Sequence, residues 1–460
     1  MKKRKESTDK PTQKFSSISI INPNAAGIDI GDKMHVVAVP EGRSELSVRE
    51  FGTMTCDLEL IATWLKECGI DTVSMESTGV YWKPLFSLLL QYNIKVYLVN
   101  TRHVRNVTGR KNDQQDAQWL QQLHSFGLLK SSYLPEEEQE GLRALVRYRH
   151  TLIQDSSRFV LRMQKSLELM NIKIHTIISD LMGKTGRAII DAIINGERDS
   201  ENFLPLIDHR IRTDKATIVK SMQGSWREEY LFTLKESYRF YTFYLQEIKA
   251  CDAAIENQLI QYEAFIQDGD IEAQQYQPQP KSKIKKTSKN GPAFNMAHYL
   301  QRIHGVNVMA IYGLSDISAL EILAETGTDM SKWKDEKHFV SWLNLCPNNK
   351  ISGGKIISSN ILKKKPNLAS QAFRTAANSI CKSNNWLGDY FRRMRSKGGH
   401  KYAIVATANK IATIYYKMLS LKKEFSPVDL AVYQEKYKTA KIAYLERKLQ
   451  QLKIQHDEVI

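Results

Sequence analysis

Residues 25–39 constrain the fold more than any other stretch. Small and β-branched apolar residues run up to a Gly-Asp pair at Gly31 and Asp32, and an apolar run resumes at His35. Two such runs about a short glycine-bearing break predict paired strands. Asp29 lies inside the first run, between Ile28 and Ile30. Period-two alternation sends both isoleucines to one face and the carboxylate to the other. A carboxylate within a buried strand is costly unless a donor or a cation meets it. Taken alone, the pattern better suits an aspartate that caps a hairpin turn.

The pattern then alternates. Strands are expected at 25–31, 34–39, 46–52, 71–76 and 94–99, with helices at 57–68, 81–92 and about 113–126. Three strands followed by αβαβα read as a mixed sheet flanked by helices. Glu76 closes the strand 71–76, and Asp113 and Asp116 lie three apart at the start of a helix, on one face of it. Each acid by itself suits a bland role: Asp113 as N-cap, Asp116 as a partner of the helix dipole, Glu76 in an ion pair. Together with Asp29 they suit a Mg²⁺ site, because acids at strand ends and a facing helix converge at the open end of such a sheet. Two such ions would activate an attacking oxygen and stabilise a leaving one in phosphoryl transfer.

The charge of the chain favours the second reading. Among 460 residues, 66 are Lys or Arg and 50 are Asp or Glu, a formal net charge of +16 that points to a polyanionic partner. Part of it sits in a basic N-terminal tail (residues 1–20) and in Lys281, Lys283, Lys285 and Lys286. The five cysteines are scattered with no C-x-x-C pair, which argues against structural zinc and for a reducing, intracellular compartment. No stretch has the apolar length of a membrane span, and no signal-peptide pattern opens the chain, so no membrane partner is expected.

The character changes at Pro135. Leu142, Leu145, Val146, Ile153, Val160, Met163, Leu167 and Met170 keep a near-heptad stripe, and a second runs from Leu231 to Ile266, interrupted at Asp252. Such stripes predict coiled-coil packing, within the chain or between subunits. Stacking of bases on Tyr238, Tyr241 and Tyr262 is the weaker use of that surface. The Gln-, Pro- and Lys-rich residues 268–292 read as a linker. The resulting division is a tail (1–20), a catalytic α/β domain (21–134), a helical domain (135–267), the linker, a mostly helical domain (293–425) and a C-terminal helix (426–460).

In the mostly helical domain, the turn at Gly305 offers backbone N–H groups to phosphate. Ser352 precedes Gly353 and Gly354 in an expected loop between Lys350 and Lys355. The glycines would admit a phosphate and the lysines would offset its charge; from the local sequence alone, an ordinary loop serine is the better reading.

Several motifs carry a resemblance. Gly27-Ile-Asp-Ile-Gly31, Met75-Glu-Ser-Thr-Gly-Val-Tyr-Trp82 and Gly109-Arg-Lys-Asn-Asp-Gln-Gln-Asp-Ala-Gln-Trp119 resemble the DEDD transposases of insertion-sequence family one hundred and ten. Met170-Asn171, Ser179-Asp-Leu-Met-Gly-Lys-Thr-Gly186, Ile351-Ser-Gly-Gly-Lys355 and Arg374-Thr-Ala-Ala377 are similar to its eleven-eleven subgroup. The resemblance implies a RuvC-like, RNase H-type first domain whose Mg²⁺ ligands are Asp29, Glu76, Asp113 and Asp116. It implies a nucleophilic serine at Ser352 that forms a phosphoserine link to DNA, a structured guide (bridge) RNA, and dimers or tetramers whose active site joins acids of one subunit to the serine of another. Donor and target DNA would be substrates, and the protein would be cytoplasmic and nucleoid-associated. The chain departs from the family pattern at Gly305-Val306-Asn307, where Gly-Ile-Gly is usual, and at Asn409, where histidine is usual. A RuvC-like nuclease that uses water, or a non-catalytic junction binder, would share most of these motifs.

Overall fold

In the computed structural model of the chain, residues 19–99, 112–132, 135, 137–267, 291–292, 294–361 and 367–457 are described. The chain forms two compact units, residues 1–134 and 135–460.

The first unit is a mixed α/β domain. Its strands are β1 (Ala25–Ile30), β2 (His35–Ala38), β3 (Val48–Phe51), β4 (Thr72–Glu76) and β5 (Lys95–Val99), in the spatial order β3-β2-β1-β4-β5. The first three pair antiparallel, as short connections allow; β4 and β5 join parallel, after the crossover helices α1 (Thr55–Glu67) and α2 (Trp82–Gln91). Ile28, Ile30, Val37, Val73 and Met75 face one side and bury against Ile61 and Leu65 of α1 and Leu85 and Leu89 of α2. Each such side chain contributes about 1.5–3 kcal/mol on burial.

The opposite face carries Val36 and Ala38, packed on Ala117 of α3 (Asp113–Ser125). Gly27 sets the approach of α3. A Cβ at Gly27 would lie 2.4 Å from the carbonyl oxygen of Ala117 and 2.3 Å from the nitrogen of Gln121. Only glycine lets the helix backbone rest on β1 there.

The second unit is largely helical. Its two longest stripes become α4 (Glu137–Leu169) and, after the short α5 (Lys184–Ile194) and α6 (Lys215–Ser221), α7 (Glu228–Gln267), which packs on α4 within the chain. Tyr241 and Tyr262 are buried, unavailable for stacking on bases. The interruption at Asp252 has a partner: its carboxylate receives Arg149 Nε of α4 at 2.5 Å, with both side chains buried. Next come α8 (Met296–His304), α9 (Asp316–Thr326), α10 (Glu336–Trp342), α11 (Leu368–Ser379), α12 (Trp386–Leu421) and α13 (Leu430–Asp457). Helix α11 ends at Ser379, and α12 is interrupted at Gly399, whose φ of +80° breaks the helical path. Among the described residues, no helix is long and apolar enough to cross a membrane. All five cysteines are free thiols.

Candidate active site

Strand alternation and the seating of α3 bring the acids together. Ile28 and Ile30 face the core under α1 and α2, so Asp29 faces α3. On β4 the same logic sends Val73 and Met75 to that core, while Ser74 hydrogen-bonds the Leu120 carbonyl of α3 at 3.2 Å. Glu76 therefore shares the α3 face with Asp29. Ile28 pairs with Met75 across the parallel ladder, and Asp29 and Glu76 are the next residues along. Helix α3 runs antiparallel over β1: Gln121 Nε2 donates to the Ala25 carbonyl, and the close approach at Gly27 is to Ala117 and Gln121. The first turn of α3, with Asp113 and Asp116, thereby comes over Asp29. Asn112 is the N-cap, its side chain accepting from Gln114 N–H, so Asp113 is not spent on capping.

Asp29 registers this crowding. Burial, then Asp113, Glu76 and Asp116 in that order, push its carboxyl up from 3.8 to about 6; a backbone hydrogen bond at Ile30 opposes them. Asp113 is exposed, and Glu76 and Asp116 are half-buried, so a bound group has access from solvent.

Ser352 lies in the second unit, and here the structure corrects the expected loop. Strands β6 (Asn348–Ser352) and β7 (Lys355–Asn360) form an antiparallel hairpin with Gly353 and Gly354 at its tip. Their φ values of +54° and +75° are those of a two-residue turn open mainly to glycine, asparagine and aspartate. Ser352 closes the strand and pairs across it with Lys355. All of β6 is exposed, Lys350 included. Among the described residues no side chain hydrogen-bonds the Ser352 hydroxyl.

A transposase model of the IS110 DEDD type matches residues 26–172. A second model, for transposases of the IS116/IS110/IS902 family, matches residues 306–392. Together they cover just over half of the chain, in order. The chain belongs to the IS110 family of transposases. It is accordingly an enzyme that acts on DNA. A comparison with curated proteins gives no match. The first matched region of this IS110-family transposase holds all four acids, and the second holds Ser352 and Arg374.

One sequence expectation ends differently. The Asn307 N–H, expected to offer itself to phosphate at the Gly305 turn, donates to the Glu424 carboxylate at 2.9 and 3.2 Å. Lys281, Lys283, Lys285 and Lys286 lie outside the described residues. Sequence reasoning gave Asn409 no role; its Nδ2 donates to the Leu345 carbonyl, a contact that no side-chain pattern announces.

Proposed function

We propose that this transposase is a RuvC-like DNA recombinase. It cuts and rejoins insertion-sequence DNA with Asp29, Glu76, Asp113 and Asp116 holding Mg²⁺ and Ser352 as nucleophile, at sites chosen by a structured guide RNA. The observation that carries the reading is the gathering of three carboxylates around Asp29, whose carboxyl is raised first by burial and then by their negative charge, which a cation would relieve. The donors are all carboxylate oxygens, which suit a hard divalent ion. Among the described residues no three His, Cys, Asp or Glu side chains stand close enough to grip an ion together, so binding would require the carboxylates to close in on the cation. Mg²⁺, when bound, supplies Lewis-acid stabilisation of charge on the phosphate oxygens.

The chain's own residues supply the rest. Ser352 Oγ bonds to phosphorus while the bond to the departing strand oxygen breaks; the serine proton passes to solvent and the departing oxygen takes one up. The phosphoserine ester keeps the phosphodiester energy, so a hydroxyl of a second strand can attack it, reseal the DNA and return the serine. Lys355, paired across the hairpin tip, offsets the charge of the held phosphate. The Gly353-Gly354 turn admits a strand closely because it carries no side chain.

The test is to trap DNA on the protein in Mg²⁺. A covalent adduct is expected in the parent and absent in Ser352→Ala and in Asp29→Ala. An adduct surviving in Ser352→Ala overturns the serine assignment, and cleavage without any adduct points to water as nucleophile. Sequencing RNA that co-purifies with the protein tests the guide.

A further inference from the structure

Three consecutive main-chain carbonyls at the root of the Ser352 hairpin are each held by a side chain from α11 or α12. Ser370 Oγ donates to the Leu343 carbonyl at 2.7 Å, Arg374 Nη2 to that of Asn344 at 3.0 Å, and Asn409 Nδ2 to that of Leu345 at 3.1 Å. Ser370 also reaches the other leg, since its N–H donates to Asn367 Oδ1 at 2.8 Å. One residue thus ties the point where the chain leaves toward β6 to the point where it returns into α11.

Asn344 is buried with a φ of +55°, the left-handed conformation that asparagine shares with glycine just past a helix end, and its N–H and that of Leu345 return to carbonyls of α10. Arg374 is an unusual choice for the job. It is half-buried, its Nε has no hydrogen-bond partner among the described residues, and only desolvation perturbs it. Its Nη2 donates to the Asn344 carbonyl, a hydrogen bond that offsets part of the cost of taking the guanidinium from water. Beyond the clamp the hairpin has little support: β6 is exposed throughout and β7 nearly so. A fixed root therefore decides where an otherwise free arm points.

We propose that Ser370, Arg374 and Asn409 are positioning residues that aim the hairpin, and with it the Ser352 hydroxyl, at the scissile phosphate. The proposal rests on the reading of Ser352 as nucleophile, and its test separates the two. Full-length Arg374→Gln, Arg374→Lys and Asn409→Leu are compared with the parent and Ser352→Ala by amide hydrogen exchange over residues 346–361, by DNA affinity, and by the single-turnover rate of adduct formation. Arg374→Gln and Asn409→Leu are expected to exchange the hairpin amides faster while the rest of the chain is unchanged. Their adduct rate should fall on the order of 10²-fold, the cost of a misplacement of about 1 Å, with DNA affinity within about twofold and partial recovery in Arg374→Lys. Parent-like hairpin exchange in both variants overturns the clamp. Faster exchange with a parent-like adduct rate overturns the aiming role. An adduct in Ser352→Ala overturns the nucleophile and with it the aiming role, while exchange still decides whether the clamp orders the hairpin.

Discussion

Asp29 shows how one residue records its neighbourhood. Its carboxyl is raised to about 6 against 3.8 for a free aspartate, so between those values the folded state binds the proton more tightly than the unfolded one. The ionised form destabilises the fold above about pH 6, and the penalty fades as pH falls through 6 toward 4. The Asp29→Asn variant should therefore melt higher than the parent at pH 7.5 in metal-free buffer, converge with it near pH 4.5, and be unable to cleave DNA. A variant that melts lower at pH 7.5 would mean that the carboxylate supports the fold. His304 has the opposite sign. It is fully buried, bonded to the Leu300 carbonyl and the Tyr415 hydroxyl, and burial lowers its pKa from 6.5 to about 4. Its stabilisation is whole above about pH 6.5 and is lost as pH falls toward 4. The drop in melting temperature between pH 7 and 4.5 should be smaller in His304→Gln than in the parent, although that variant melts lower at pH 7. Alternation and i, i+3 spacing suffice to place Asp29 and Glu76 on one face of the sheet and Asp113 and Asp116 on one face of a helix; that the four act together is the proposal. The clamp on Leu343, Asn344 and Leu345 was not legible, because main-chain acceptors leave no trace in side-chain patterns.

At the scale of elements, legibility followed the length of the apolar pattern. Helices α4 and α7 were readable because their stripes run for many turns, and even the break at Asp252 proved informative, since Arg149 faces it. Removing one partner leaves a buried charge unpaired, so Asp252→Ala should cost about 3–5 kcal/mol in denaturant unfolding. The pair Arg149→Met with Asp252→Leu should recover most of that; a loss that the double variant does not reduce would show that packing, not charge, is at stake. The β6–β7 hairpin was misread as a loop because it is short and exposed on both faces, with Ile351, Ile356 and Ile357 all in solvent, so no alternation marks it. Its tip offers a clean separation of function from stability. A β-branched residue in the left-handed region is strained by roughly 1–2 kcal/mol, and Gly354 has a φ of +75° with open space around its Cβ position. Gly354→Val should leave the melting temperature near that of the parent, because the hairpin holds no core, yet abolish the DNA adduct by distorting the turn beside Ser352. A fully active Gly354→Val would detach the turn from the chemistry.

At the scale of the whole molecule, the charge of +16 sets how nucleic acid is held. Binding that neutralises many phosphates releases counterions, so affinity should fall by orders of magnitude between about 50 and 200 mM salt. Deleting residues 281–289 should make that dependence shallower without removing it, since other basic residues remain; a salt response that vanishes would place the whole footprint in that segment. The acids and Ser352 belong to different compact units, and the family resemblance implies an active site shared between subunits. If acids of one subunit serve the serine of another, two inactive proteins can repair each other. Ser352→Ala keeps a complete set of acids, and Asp29→Ala keeps the nucleophile. In a mixed oligomer, some sites then combine the intact acids of one variant with the intact serine of the other. Mixing the two variants at equal concentration should restore part of the adduct formation that each lacks, with every adduct on the Asp29→Ala chain, which a size tag on either chain would reveal. A mixture that exchanges subunits yet stays inactive would show that each chain uses its own acids and its own serine.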